Sequence, residues 1–589
     1  MVSLPAALSV PFVSGQKRAE ASSEVTRTAA VDWQSISILL ALYVFSASLL
    51  LVKLGQHPGY TQNWEAYTTW RFFAWWDHPS IKIFDVNDGV MLTAGSSPLL
   101  APFIWITFKL FGVGMFALRL PSALISAFAA PLTFVVGRRF ISPRAGLLAA
   151  VLLALLPSFL VYGRTATNAG LSLVPALLTL YCLGRALTEP RQWRWFALLQ
   201  ILFIVSVYAY TPVRMLWPIS VGLIATELFL HKGERCRLVI GLATTVVVLP
   251  LFLIFFDGLP SHAPVKAVRN YYVAHGETLL NIRENPQNYK YWLKLTPDEQ
   301  AAGRVFGSDN ELMWRFIKQN ATNVTNLLLD RQTNRALIDF WNPHGRLYFN
   351  FLVPFFLIGM IKSLLGFFRR VEDRILQACF WVWCASLLIV SVVNISRLVF
   401  MFPIICIFIA SGLFTVVDVV SPRLSVAKAP WLPRAVSAGA AVILMLATAR
   451  ATWNDYKGPP TIFAGSSVVS QLGANAPAIA SSGGSAVLVR PPGSMEIEEI
   501  DVSSYRVLLD DDYDFVDIST GAPSAATSSG KPAVQYGQVI GLLAHPESLP
   551  TYCANTYFVE HDALESFNEV TAAAADRCGH YLRSIEITH

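Results

Sequence analysis

S-I-S-I-L-L-A-L-Y-V-F-S-A-S-L-L-L-V-K, residues 35–53, is a 19-residue run whose one charge is its last residue. At 1.5 Å per residue it matches a hydrocarbon core about 30 Å thick. A second such run, L-R-L-P-S-A-L-I-S-A-F-A-A-P-L-T-F-V-V-G (118–137), ends on Arg138 and Arg139. Between Ser35 and Arg450 the pattern recurs about eleven times, in stretches of roughly 16 to 22 residues with charge at their ends.

Composition agrees with this reading. The 589 residues are 54% hydrophobic and 14% charged, whereas soluble domains carry nearer a quarter charged residues. An ordinary cytosolic enzyme is excluded. The net charge of +6 is no sign of nucleic acid, because the basic residues gather in short connections between apolar runs. They are Arg138, Arg139 and Arg144; Arg185, Arg191 and Arg194; Lys232, Arg235 and Arg237; Arg369, Arg370 and Arg374; and Arg423, Lys428 and Arg434. The positive-inside rule puts these five connections on the cytoplasmic side. The parity holds if Pro98–Phe111, only about 14 residues long, lies at the interface or re-enters, with Trp105 and Lys109 as anchors.

The expected architecture is mostly α. It has a cytoplasmic tail (1–34), a transmembrane domain (35–450) and a soluble external α/β domain (451–589). The first external loop is 55–117, with interfacial helices, and the long external loop is 257–348. In the tail, Leu4–Val13 precedes Lys17 and Arg18, the reverse of a secretory signal. The long loop has amphipathic spacing around Leu312, Trp314, Arg315, Phe316 and Lys318, which suits a lid as well as a solvated loop. Five of the seven cysteines lie in or beside apolar runs; Cys553 and Cys578 share the polar domain, and their pairing would require an oxidising compartment. The acidic run Asp510, Asp511, Asp512 and Asp514 lacks the glycine and terminal Glu of a calcium loop and reads as a solvated turn.

The first loop, G-Y-T-Q-N-W-E-A-Y-T-T-W-R-F-F-A-W-W-D-H (59–78), sets Glu65 among aromatic residues. An acid partly withdrawn from water has a raised pKa and suits proton abstraction from a hydroxyl; the alternative is a helix-terminal or ion-paired carboxylate. Arg214 and Arg397 begin apolar runs at the end opposite the basic connections, against the topological bias. Snorkelling explains such residues as readily as function does.

The run S-S-P-L-L-A-P-F-I-W-I-T-F-K-L-F-G-V-G-M-F-A-L-R-L-P-S-A-L (96–124), with G-R-R (137–139) and R-A-G-L-L-A-A (144–150), resembles the lipid-linked-sugar glycosyltransferases related to protein O-mannosyltransferases and aminoarabinose transferases, which have the GT-C fold. Further similar motifs are Y-G-R-T-A-T-N-A (162–169), Y-T-P-V-R (210–214), N-P-H-G-R (342–346) and S-R-L-V-F-M-F-P (396–403). The resemblance spans about residues 35–420. It implies transfer of a sugar from a polyprenyl phosphate to an envelope glycan, lipid or protein, on the periplasmic face of the inner membrane, with inversion.

The family's first-loop signature is an acidic pair, and this chain has Trp64-Glu65 in its place. The resemblance makes Glu65 the candidate base, with Asp77, Asp85 and Asp88 as local substitutes. It favours Arg164, Arg214 and Arg397 for the donor phosphate, because a guanidinium pairs two N–H groups with phosphate oxygens. Asn168, Tyr67, Tyr210 and His344 are candidates for substrate contact; capping of the fourth span is an equal role for Asn168. No cofactor is expected; a divalent cation stays an open alternative, with a weakened case because the family's partner acids are missing. Membrane lipids are the other partners. The readings from other classes are a lipid or solute transporter, which should place ionisable residues at mid-membrane, and an inactive binding protein on the same scaffold.

Overall fold

The computed structural model describes residues 33–55, 99–112, 114–189, 193–209, 211–230, 235–256, 296–302, 304–330, 347–389, 395–424 and 431–457, and five strands between 485 and 582. The protein is mostly helical. In chain order the helices are α1 (Trp33–Leu51), α2 (Ala101–Phe111), α3 (Met115–Ala127), α4 (Ala129–Phe140), α5 (Pro143–Leu155), α6 (Pro157–Arg164), α7 (Asn168–Leu171), α8 (Leu173–Thr188) and α9 (Trp193–Ala209). They continue with α10 (Leu216–Leu230), α11 (Arg235–Phe256), α12 (Pro297–Ala302), α13 (Asp309–Leu328), α14 (Val353–Gly366), α15 (Val371–Ile389), α16 (Phe402–Leu424) and α17 (Leu432–Lys457). Among the described residues six helical stretches are long and apolar enough to cross a membrane, or seven if α5 and α6, bent by 65°, form one broken span. Shorter apolar helices, including Trp193–Ser206 and Asn350–Gly366, lie among them.

α16 is the central helix: Phe402 and every residue from Ile404 to Ala410 are fully buried. It packs on α14, α5 and α17. The α14 contact is a backbone-to-backbone approach. A Cβ added at Gly359 would fall 1.8 Å from the Phe408 carbonyl oxygen, and one at Gly412 would fall 1.9 Å from that of Phe355. Two glycines facing each other let the helices meet closely without a hydrophobic driving force, which lipid does not supply.

The basic connections meet at one end of the bundle. Arg138 donates to Ser35 Oγ (2.8 Å), Arg139 to Thr188 Oγ1 (2.6 Å), and Arg370 to the Phe140 carbonyl (2.6 Å). Arg237 donates to the carbonyls of Ala186 (2.6 Å) and Glu189 (2.8 Å), closing the last turn of α8 where the helix dipole favours a cation. Arg374 grips Glu227 with two bonds, Nε to Oε1 at 2.5 Å and Nη2 to Oε2 at 2.9 Å, and both residues are buried. Four of the five connections are thus tied together. The side chains of Arg423, Lys428 and Arg434, like all of Arg191 and Lys232, lie outside the described ones. Glu227 ends α10 and Arg374 begins α15, so the buried ion pair sits at the basic end and not at mid-membrane, where a transporter would need it.

In the long loop, Ser308 caps α13 by accepting from Glu311 N. Leu312 and Phe316 are buried and Trp314 is exposed, the amphipathic helix that the spacing predicts. Asn320 and Asn323, each starting an Asn-X-Thr pattern, are buried, and Asn320 donates to the Leu388 carbonyl. Glu299 locks α13 to the preceding turn, accepting from Arg315 Nη1 (2.7 Å) and Nη2 (2.8 Å) and from the amides of Thr296 and Phe306. The Arg315 bonds lead in holding the Glu299 carboxyl down from 4.5 to about 2, against the opposing effect of burial.

A carboxyl with a depressed folded pKa stabilises fully above its ordinary value and loses that contribution as pH falls through the folded one. Amide-exchange protection of residues 304–328, corrected for intrinsic rate, is therefore expected to hold from pH 7 to about 4.5 and to fall toward pH 2. In Glu299→Gln it should already be low at pH 7. Unchanged protection in that variant would assign the order of this segment to other contacts.

The five strands, β1 (Ser485–Arg490), β2 (Asp514–Asp517), β3 (Ala533–Gln538), β4 (Thr556–Glu560) and β5 (Tyr581–Leu582), form one parallel sheet in the order β2-β3-β1-β4-β5. Parallel neighbours need long crossovers. Cys553 and Cys578 fall outside the described residues. The five described cysteines, Cys182, Cys236, Cys379, Cys384 and Cys406, are free thiols, four of them buried.

Candidate functional site

Opposite the basic end, four chain segments converge. The first is the turn between α6 and α7. Leu156 precedes Pro157 and is extended (φ −67°, ψ 130°), which ends α5, while Pro157 opens α6. α6 stops at Arg164 and the chain runs extended through Thr165 and Thr167. Asn168 then takes the first helical position of α7. This corrects its expected capping role: the cap position is Thr167, and no side chain caps this helix.

The turn is packed against α3. Ser122 Oγ donates to the Thr165 carbonyl at 2.7 Å. A Cβ at Gly170 would lie 2.5 Å from both Ser126 Oγ and the Tyr162 carbonyl, so only glycine permits this approach. Arg164 is 4% exposed and donates to the Leu49 carbonyl in the last turn of α1. Asn168 is also buried.

The other segments are two 3-10 helices, Thr211–Met215 and Ile395–Met401, and the first turn of α3. Residues 395–401 pack on α6, α7 and residues 211–215, with Phe402 beside Tyr162. Arg214 and Arg397, at the starts of α10 and α16, are both half-buried. The segments bearing Arg164, Arg214 and Arg397 are therefore neighbours, although the last two lie 183 positions apart in the sequence.

Arg119 belongs to the same corner and escaped the sequence reading. It is fully buried at the start of the second turn of α3, about one turn before Ser122. Its signal was available as an ionisable residue inside an apolar run. No acidic residue occurs in 45–55, 115–127, 157–172, 211–216 or 395–402. The segments that converge here are cationic, and a phosphate is the ligand such a corner suits.

Glu65, Tyr67, Asp77, Asp85, Asp88, Tyr210 and His344 lie outside the described residues. So do Trp64 and the other first-loop aromatics. α2, the short apolar helix expected at 98–111, packs on α3, with the Lys109 ammonium 5.8 Å from the Trp105 ring. Among the described residues no three His, Cys, Asp or Glu gather as a metal site would require.

The sequence model of the dolichyl-phosphate-mannose-protein mannosyltransferase family matches residues 95–255, a stretch that includes Arg119, Arg164, Asn168 and Arg214. No curated protein matches the chain. Among solved structures, the Archaeoglobus fulgidus oligosaccharyltransferase in the apo form is 13% identical, with 81% of this chain and 64% of that chain covered and a TM-score of 0.45. The chain thus spans just under two thirds of that protein's length. ArnT from Cupriavidus metallidurans is 13% identical in the apo state, with 93% and 95% covered and a TM-score of 0.44. A second structure of that protein, bound to undecaprenyl phosphate, is 12% identical, with 92% and 91% covered and a TM-score of 0.39. Residues 95–255 carry the sequence pattern of the dolichyl-phosphate-mannose-protein mannosyltransferases, and the chain is a multi-pass membrane protein similar to the glycosyltransferases of that group.

Proposed function

We propose that the chain is an inverting GT-C glycosyltransferase that moves a sugar, hexose or pentose, from a polyprenyl phosphate to an acceptor in the cell envelope. The observation that carries this reading is the convergence of the segments bearing Arg164, Arg214 and Arg397 at the end of the bundle opposite the basic connections. With the basic end cytoplasmic, that corner lies at the periplasmic headgroup plane of the inner membrane. A lipid phosphate reaches that plane while its tail stays in hydrocarbon. The family match over 95–255 supports the same chemistry.

The reaction is a direct displacement. The acceptor hydroxyl oxygen bonds to the anomeric carbon as the bond from that carbon to the phosphate oxygen breaks, and the configuration inverts. The hydroxyl proton passes to Glu65, or to Asp77, Asp85 or Asp88. The leaving polyprenyl phosphate takes the electron pair, and the Arg214 and Arg397 guanidiniums stabilise its charge. Arg164, tied to α1, adds fixed positive charge at the same corner. Tyr67, Tyr210, Asn168 and His344 contact sugar or acceptor. The reading requires no metal. The domain from 451 stands on the same face, holds the acceptor and carries a Cys553–Cys578 disulfide.

Glu65→Gln preserves shape and removes the proton acceptor. Under conditions where chemistry limits the rate, its turnover should fall about 100-fold or more with donor binding intact. Near-normal turnover would move the base to Asp77, Asp85 or Asp88. Movement of lipid-linked sugar across liposomes by the purified chain, with no transfer to any acceptor, would replace the enzyme with a transporter.

A further inference from the structure

We propose that the basic end carries a binding site for an anionic phospholipid, with one acyl chain between α1 and α5 and the headgroup phosphate on Arg138 and Arg144. A cavity of about 330 Å³ opens there on the outside of the bundle, lined by Ile38, Ala41, Leu42, Phe45, Leu147 and Val151. Phe45 and Leu147 are exposed on its rim. Beneath it, Leu42, Phe134 and Ala150 form a small buried cluster with Val135 packed against them, so α4 closes the floor. The lining is wholly apolar, as a hydrocarbon chain requires.

The helix geometry fixes which polar groups stand at its mouth. Ile38, Leu42 and Phe45 are spaced by four and three residues, and one further step of three toward the basic end is Ser35. Arg138 holds that serine, donating to its Oγ at 2.8 Å. On the facing helix, Leu147 and Val151 are four apart, and three residues before Leu147 is Arg144. Both stripes therefore lead to an arginine.

The two arginines are held in one corner. A Cβ at Gly146 would lie 2.5 Å from the Arg138 backbone nitrogen, and one at Gly137 would lie 2.7 Å from Gly146 Cα. The two glycines let the end of α4 lie this close to the start of α5 across the short connection 141–142. Both guanidiniums belong to exposed residues, and neither 33–55 nor 129–156 contains an acidic residue. The groove spans Ile38 to Phe45, about 10 Å of helix, starting about 7 Å from the first residue of α1. It occupies the leaflet at the basic end, where anionic lipid headgroups bind basic pockets between helices. The proposed sugar-lipid site is at the opposite end, so this one stands whether or not the chain is a transferase.

The test titrates the purified full-length protein in detergent with dioleoyl phosphatidylglycerol and, separately, dioleoyl phosphatidylcholine, counting bound lipid by native mass spectrometry. Phosphatidylglycerol should bind at least about tenfold more tightly. The Arg138→Gln, Arg144→Gln double variant, altered only at exposed side chains, should lose that preference. Leu147→Trp, which fills the groove, should weaken both lipids. Equal affinities in the native chain, or a preference that survives in the double variant, would overturn the site. So would undecaprenyl phosphate displacing phosphatidylglycerol and itself losing affinity in the double variant, since the groove would then belong to the sugar carrier. The arginine comparison decides the matter even if Leu147→Trp fails to fold.

Discussion

Glu227→Ala should cost the fold about 3–5 kcal/mol, read as a lower midpoint of unfolding in a fixed detergent. The variant leaves the Arg374 guanidinium in a pocket where it had two carboxylate bonds and is 3% exposed. Its remaining Nη1 bond to the Phe367 carbonyl, at 3.1 Å, offsets little of an uncompensated buried charge. The double variant Glu227→Leu, Arg374→Met removes both charges and should recover most of the loss, because the attraction in such a pair is largely cancelled by the desolvation of its members. A Glu227→Ala protein as stable as the native one would mean that water reaches this end of the bundle.

Gly359→Val should be almost as damaging. The first added carbon would lie 1.8 Å from a backbone oxygen of α16, and a backbone atom cannot swing aside as a side-chain tip can. α14 and α16 must separate along their whole contact, which puts the cost at about 3 kcal/mol or more, the upper end of the overpacking range. Gly439→Val has open space around its Cβ and is the matched control. If both variants unfold at the same midpoint, the close crossing does not contribute to stability.

What the sequence made legible follows from periodicity and charge. The apolar run read at 35–53 is α1 at 33–51, and the run at 118–137 lies within α3 and α4. Four of the five basic connections, read as one face from the charge bias alone, are joined by hydrogen bonds at one end. Arg214 and Arg397 stood out because they break that bias. The contacts between distant segments were not legible. Nothing periodic announces that Gly359 meets Phe408, or that residues 395–401 reach the 164–168 turn. The two 3-10 segments were invisible for a related reason, since their i, i+3 pattern over five to seven residues is too short to separate from a helix start. Asn168 misled because asparagine before an apolar run is the usual mark of a cap, while here the extended Thr167 takes that position. Arg119 sat in plain view within L-R-L-P-S, and only its burial showed that it belongs to the cationic corner.

The claim that the end of the bundle bearing Arg214 and Arg397 receives a polyprenyl phosphate is tested most directly by equilibrium binding of undecaprenyl phosphate to the native chain and to the Arg214→Ala, Arg397→Ala double variant. The account predicts binding weaker by about 100-fold or more in the double variant, from the loss of two charge-assisted contacts, with an unfolding midpoint close to native. Lysine at both positions should restore affinity only in part, because an ammonium lacks the planar fork. Undiminished binding in the Ala double variant would contradict the account.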